Sequence, residues 1–227
     1  GAAPAAGVMV RAGARDRQSD GLLRLRRFVR GIDHGNVDPE GDIEVVRDAG
    51  AAATLAGGSR LGPVVAREAV GEATARADDY GIGAVGVRET NHLGMLGYYT
   101  DVIRRAGYVG LAVTNTEPAM PPYGGADPIL GTNPIAVGIP SDPPFNLDMS
   151  TSSIARGSVL RARENGETLP EGVALDADGT PTTDPEAERT GVIRKVGGAK
   201  DSGIAIAVEI LEGGLGGAAR GTDVTGT

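Results

Sequence analysis

Two histidines, two lysines and no cysteine leave few groups in this 227-residue chain that can carry a proton or a covalent adduct. One of them, His92, stands in TNHLGMLGYY (90–99), between an apolar run and a pair of glycines. A free imidazole titrates near neutrality and serves as acid or base. Taken alone, His92 reads first as an ordinary polar loop residue. LDMSTSS (147–153) sets Asp148 ahead of the hydroxyls of Ser150, Thr151 and Ser152. At a helix N-terminus such hydroxyls either hold phosphate beside free N–H groups or simply cap the helix. Lys200 follows a glycine pair in GGAK, where a backbone can approach a ligand closely, and reads otherwise as an exposed surface lysine. With no cysteine and two histidines, no structural zinc cluster and no other metal site is expected.

These residues must be positioned by elements legible from periodicity. GLLRLRRFVRGI (21–32) has the spacing of a basic amphipathic helix with Leu22, Leu25, Phe28, Val29 and Ile32 on one side. Residues 43–58 read as strand, turn and short strand, and 63–79 as a helix opened by Pro63, with Val65, Ala69, Ala73 and Ala77 as its buried stripe. A strand at 81–89, a helix at 94–107 and a strand at 108–116 fit a crossover unit. Further on, a strand at 134–141, a Ser/Thr-capped helix at 149–166, a polar loop at 172–191 and a late helix at 203–217 are expected. Residues 1–20 show no clear periodicity, and the glycine-rich tail from 213 has little to bury, as a flexible terminus or a sequence cut short would. GIGAVG (81–86) matches a dinucleotide fingerprint in letters only, because a helix precedes it and strand follows it.

Composition narrows the class. Aromatic residues make up 3% with no Trp, so the core must be aliphatic and the chain α/β. A net charge of -8 argues against non-specific nucleic-acid binding. Of the 22 basic residues only Lys195 and Lys200 are lysine, a balance that suits either a halophile or a GC-rich genome. No apolar run approaches the roughly 20 residues of a membrane span, and GAAPAAGVMVRAG is not a secretory signal, so a cytoplasmic protein is expected.

In order along the chain, NHLGMLGYY, PPYGG, LGTNPIAVGIP, LDMSTSSIARG, DADGTPTTDP and GGAKDSGIAIAVEIL resemble the type-2 malate/L-lactate dehydrogenase family, over roughly residues 10 to 220. That family also includes sulfolactate and ureidoglycolate dehydrogenases, diketogulonate reductase and a cyclic-imine reductase. The resemblance implies an α/β cofactor domain around a mixed sheet, unlike the doubly wound dinucleotide fold, with a smaller helical N-terminal segment. On that reading residues 1–60 form the substrate-side segment and 61–227 the NAD(P)-binding domain, without the family's C-terminal part. It further implies NAD or NADP as cofactor, a small 2-oxo or 2-hydroxy acid as substrate, and a homodimer.

By the same resemblance His92 is the acid/base residue, Ser19, Asp20 and Arg24 belong to the catalytic side, and Thr116, Asp148, Ser150, Thr151, Ser152, Lys200 and Asp201 lie near the cofactor. SDGLLRL (19–25) departs from the family's Ser-His-Gly motif, because Asp20 replaces the histidine. Phe28 stands where the family often has Tyr, and Asp201 where it has glycine. A carboxylate at position 20 repels an acid substrate, yet beside His92 it favours imidazolium. Three outcomes remain open: tolerance through Arg24 and its arginine neighbours, an amine or imine substrate, or a homologue that binds dinucleotide without turnover.

Overall fold

The computed structural model describes residues 2–224. It opens with helix α1 (Ala3–Ala14), where the sequence showed no clear period. Val8 and Ala12 of α1 are buried, while Arg11 points to a partner elsewhere in the fold. The basic segment forms two short turns and then α2 (Leu25–Asp33). Of its expected apolar side only Phe28 is buried, and Leu22, Leu25, Val29 and Ile32 stand exposed. Strands β1 (Glu44–Ala49) and β2 (Ala52–Ala56) make the expected hairpin, followed by α3 (Gly62–Tyr80), β3 (Ala84–Arg88), α4 (Leu96–Arg105), β4 (Gly110–Val113) and β5 (Ile135–Ile139). Val65 of α3 is fully buried, whereas Ala69, Ala73 and Ala77 are half-buried.

The crossover lies one unit earlier than expected. β2 pairs antiparallel with β1 and parallel with β3, so α3 is the connection that returns the chain in the same direction. β3 and β4 belong to different sheets, and the 81–116 segment is not a crossover unit. GIGAVG proves to be helix end and strand. Gly81 takes a left-handed φ of 77° as the C-cap of α3, and a Cβ at Gly83 would stand 1.9 Å from the Ala73 carbonyl oxygen. Its glycines bring helix and strand together rather than cradling a phosphate.

The second sheet is antiparallel in the order β4, β5, β6 (Phe145–Met149), and α4 packs on all three strands. The expected helix at 149–166 is shorter: α5 runs Arg156–Asn165. Residues 151–153 instead spend their backbone on pairing, Thr151 N–H with the Thr132 carbonyl and Ser153 N–H with that of Arg194. The expected polar loop instead holds two strands of a small antiparallel sheet, β7 (Ala174–Leu175) and β8 (Pro181–Thr182), completed just after it by β9 (Val192–Ile193). α6 (Ala199–Leu211) ends in a wider turn at 212–216 that reaches β3. Residues 225–227 of the tail lie outside the described residues.

The mixed sheet, the antiparallel sheets and the helical N-terminal segment are the expected α/β architecture, with one parallel strand pair among the described residues in place of a doubly wound sheet. Two aliphatic clusters hold it. Val8, Val70, Leu96 and Ala136 join α1, α3, α4 and β5, and Met120, Leu130, Val159 and Ile193 join the later half.

Candidate active site

His92 is held by its neighbours through backbone contacts. Asn91 Oδ1 accepts the Gly62 N–H in the first turn of α3 at 2.7 Å, and Asn91 Nδ2 donates to the Arg60 carbonyl at 2.7 Å. A Cβ at Gly62 would lie 2.4 and 2.5 Å from the Asn91 and His92 carbonyl oxygens, so glycine is what lets the loop press against the helix. From α4, the buried Tyr99 hydroxyl donates to the Leu93 carbonyl. The loop is thereby tied to one helix on each side of His92.

The imidazole faces the N-terminal segment. Its Nε2 is buried, makes no hydrogen bond, and stands 3.8 Å from Asp20 Oδ1. The Phe28 ring lies 6.2 Å away, centre to centre. Arg24 Nε donates to the Ser19 carbonyl at 2.6 Å, and Ser19 Oγ reaches Asp20 Oδ2 at 3.4 Å, so the short turns before α2 fix one another. Glu117 bridges Arg27 of α2 at 3.2 Å and Arg156 of α5 at 3.8 Å. Arg17 donates to the Asp148 carbonyl at 2.6 Å.

These groups shape one another's titration. Burial, then the charges of Arg24 and Arg27, hold His92 well below its ordinary value. Burial raises the Asp20 carboxyl, Arg24 opposes that, and Asp148 adds to it. The expectation that a carboxylate beside His92 would favour imidazolium is therefore outweighed by burial and two arginines. Arg24 is itself drawn down by burial while Asp20 opposes.

Ser19, Asp20, Arg24, His92, Thr116, Asp148 and Ser150 all line one cleft of about 600 Å³. Thr116 Oγ1 accepts the Thr132 N–H at 2.8 Å. Asp148 Oδ2 accepts the Gly97 N–H at 3.0 Å, which places this carboxylate on the positive end of α4. Thr151, Ser152, Lys200 and Asp201 do not line the cleft. Thr151 Oγ1 donates to the Thr132 carbonyl and Ser152 Oγ to that of Ile154, so the two buried hydroxyls serve the turn and not a helix cap. Lys200 is exposed in the first turn of α6, and Asp201 accepts the Gly197 N–H.

Several contributors escape a reading by motif. Arg17, Arg27, Glu117 and Arg156 also line the cleft, and only their charge marks them in the sequence. Asn133, fully buried at a φ of 30°, donates to Glu209 at 2.8 Å and accepts the Thr116 N–H at 3.2 Å. The repeat of Thr-Asn in TNT and TNP (114–116 and 132–134) is the one trace of that hub in the sequence. Among the described residues no group of His, Cys, Asp and Glu could hold a metal ion, and no helix is long and apolar enough to cross a membrane.

A family model described as malate/L-lactate dehydrogenase matches residues 1–227. The L-sulfolactate dehydrogenase of Methanothermobacter thermautotrophicus is 46% identical over 210 residues, 92% of this chain and 62% of that protein. Among solved structures, the sulfolactate dehydrogenase of Methanocaldococcus jannaschii superposes with a TM-score of 0.88 at 42% identity, over 99% of this chain and 65% of that one. A dehydrogenase from Sinorhizobium meliloti gives a TM-score of 0.92 at 35% identity, over 98% of this chain and 66% of that one. The chain thus spans just under two thirds of the length of each.

Proposed function

The chain belongs to the malate/L-lactate dehydrogenase family, and from that premise we propose that it acts in an NAD- or NADP-dependent interconversion of a 2-oxo acid and an L-2-hydroxy acid. The observation that carries the reading is the cleft itself, where His92 Nε2, buried without a hydrogen bond and 3.8 Å from Asp20, shares an arginine-rich lining with Arg17, Arg24 and Arg27. Residues 1–60 supply the substrate side through Ser19, Asp20 and Arg24, and residues 61–227 supply the cofactor side.

The residues present fit a dinucleotide in two respects. The cleft volume of about 600 Å³ lies within the range of small-molecule sites. Thr90 Oγ1 and His92 Nε2 are buried on its wall without hydrogen-bond partners, a cost that the polar groups of a bound ligand would relieve. Thr90, Thr116 and Ser150 would hold the cofactor. Bound there, a nicotinamide supplies or takes up the hydride. Arg24 grips the substrate carboxylate with charge-assisted hydrogen bonds and fixes its orientation. His92 gives a proton to the developing alkoxide, or takes one from the hydroxyl in reverse. The exposed apolar residues Leu25, Val29 and Ile32 of α2, with Leu22 in the turn before it, support a homodimer as the working form.

The deciding measurement is NADH and NADPH oxidation with pyruvate, oxaloacetate, sulfopyruvate and a cyclic imine, in wild type and His92→Ala. Turnover of a 2-oxo acid that His92→Ala abolishes is expected. Undiminished turnover in the alanine variant would remove His92 from the reaction. Calorimetric dinucleotide binding with no turnover on any of the four would instead identify a binding homologue.

A further inference from the structure

Asp20 departs from the motif that this chain otherwise follows, and the fold brings its carboxyl to 3.8 Å from the one buried edge of His92 that has no hydrogen bond. Every element packed around the two contributes a charge or a wall. The segment before α2 supplies Arg17, Ser19 and Arg24, α2 supplies Arg27 and the Phe28 ring, β6 supplies Asp148, and Glu117 stands behind Arg27 with Arg156 of α5. Asp20 is the carboxyl within ion-pair distance of His92 among the described residues. Ser19 Oγ lies against the other carboxyl oxygen, Oδ2, and leaves Oδ1 turned to the imidazole.

A neutral imidazole held down by burial and two arginines has no proton to give. A carboxyl pushed up by burial keeps one more readily. Carboxylic acid beside neutral imidazole, and carboxylate beside imidazolium, contain the same single proton, so two such groups titrate as a unit.

We propose that Asp20 and His92 form a one-proton pair in which Asp20, as a positioning residue, keeps available the proton that His92 delivers. This rests on the cleft being the active site of a 2-oxo acid reductase. In the reducing direction one O–H bond forms on the substrate oxygen while the adjoining carbon gains its hydride. The pair passes from one proton to none and recovers it from water. In the oxidising direction the pair starts empty and takes up the hydroxyl proton.

The chain's two histidines make the test direct, because NMR titration of the free, full chain shows only His92 and the exposed His34. Removing the carboxylate in Asp20→Asn is expected to lower the His92 midpoint by about one pH unit or more, with His34 unmoved. Asp20→Glu is expected to return most of that shift. Asp20→Ser repeats the comparison with a smaller uncharged side chain, should Asn disturb the turn. In kinetics, the loss of reduction with rising pH moves to lower pH in Asp20→Asn and back in Asp20→Glu. A His92 midpoint that is the same in wild type, Asp20→Asn and Asp20→Ser overturns the pair. If the midpoint shifts as stated but no 2-oxo acid is reduced by wild type, the pair stands and the dehydrogenase reading falls. If wild type is active and the midpoint is fixed, the reverse holds.

Discussion

At the scale of single residues, the side chain of Tyr99 does more for His92 than its distance in the chain suggests. Its phenol is pushed far above its ordinary value by burial, so it remains a donor to the Leu93 carbonyl at any working pH. Tyr99→Phe removes that donor and leaves a carbonyl without its partner, at a cost of about 1 kcal/mol. Calorimetry should show Tm lower by roughly 2–4 °C, and steady-state kinetics a kcat reduced more than KM is raised, because the imidazole loses its anchor. Unchanged kcat would mean that Asn91 and Gly62 hold the loop alone. Arg24 makes a different prediction. Arg24→Lys keeps a charge but not the planar fork, nor the Nε bond to Ser19. KM for the acid should rise about tenfold, equivalent to roughly 1.4 kcal/mol, with dinucleotide affinity unaltered; a proportional loss of both would instead indicate a collapsed turn. The place of His92 and Arg24 on one cleft was legible from residue type and motif order. Asn91, Gly62 and Tyr99 were not, because their contribution is a contact with a distant element.

Among the α-helices, α1 is the one that sequence reading missed, and the reason is physical. Its buried stripe is mostly alanine and short aliphatics, too weak a period to register, and its docking relies on charge. Asp101 of α4, its side chain 7% exposed, binds Arg11 of α1 at 2.8 Å and Arg15, which follows α1, at 3.7 Å, as well as Arg104 and Arg105 of its own helix. Burial alone would raise its carboxyl, but hydrogen bonds from Arg105 and Arg104 outweigh that and hold it below its ordinary 3.8. A folded value below the unfolded one gives stability that is fully present above pH 3.8 and is lost as pH falls through the folded value. Asp101→Asn should therefore be less stable than wild type at pH 7 by about 1–3 kcal/mol. Acid titration of both by circular dichroism should show the gap closing below pH 3.8. A gap independent of pH would assign the effect to packing. The same contrast explains the other misread elements. The β1–β2 hairpin and helices with local periods were visible, whereas the Thr151–Ser153 segment and β9 pair with residues remote in sequence, and β7 and β8 are two residues each, too short to show a period.

For the whole molecule, the cleft is where separate parts of the chain meet: the turns before α2, the loop after β3, residues 114–117, the end of β6, the start of α5 and residues 217–219. A ligand seated there bridges all of them, so it stabilises the native state against unfolding as mass action requires. At a hundred times its Kd, a bound dinucleotide adds about 2.7 kcal/mol, which is roughly 5–10 °C in Tm for a chain of this size. Glu212 makes that stabilisation depend on pH. It lies on the cleft wall, and burial, with Glu209 adding to it, pushes its carboxyl up to about 7. Below that value the wall is neutral at this point, and above it a negative charge faces any phosphate-bearing ligand. Dinucleotide affinity should accordingly fall as pH rises through about 7, by more at low than at high salt, because exposed parts of the cleft are screened. Glu212→Gln should hold the affinity constant across that range. Thermal shifts with NADH and NADPH from pH 6 to 8, in wild type and Glu212→Gln, measure both effects at once. No shift with either dinucleotide would place the cofactor elsewhere, whereas a shift with the same pH dependence in both proteins would leave the cofactor in the cleft and Glu212 out of its binding.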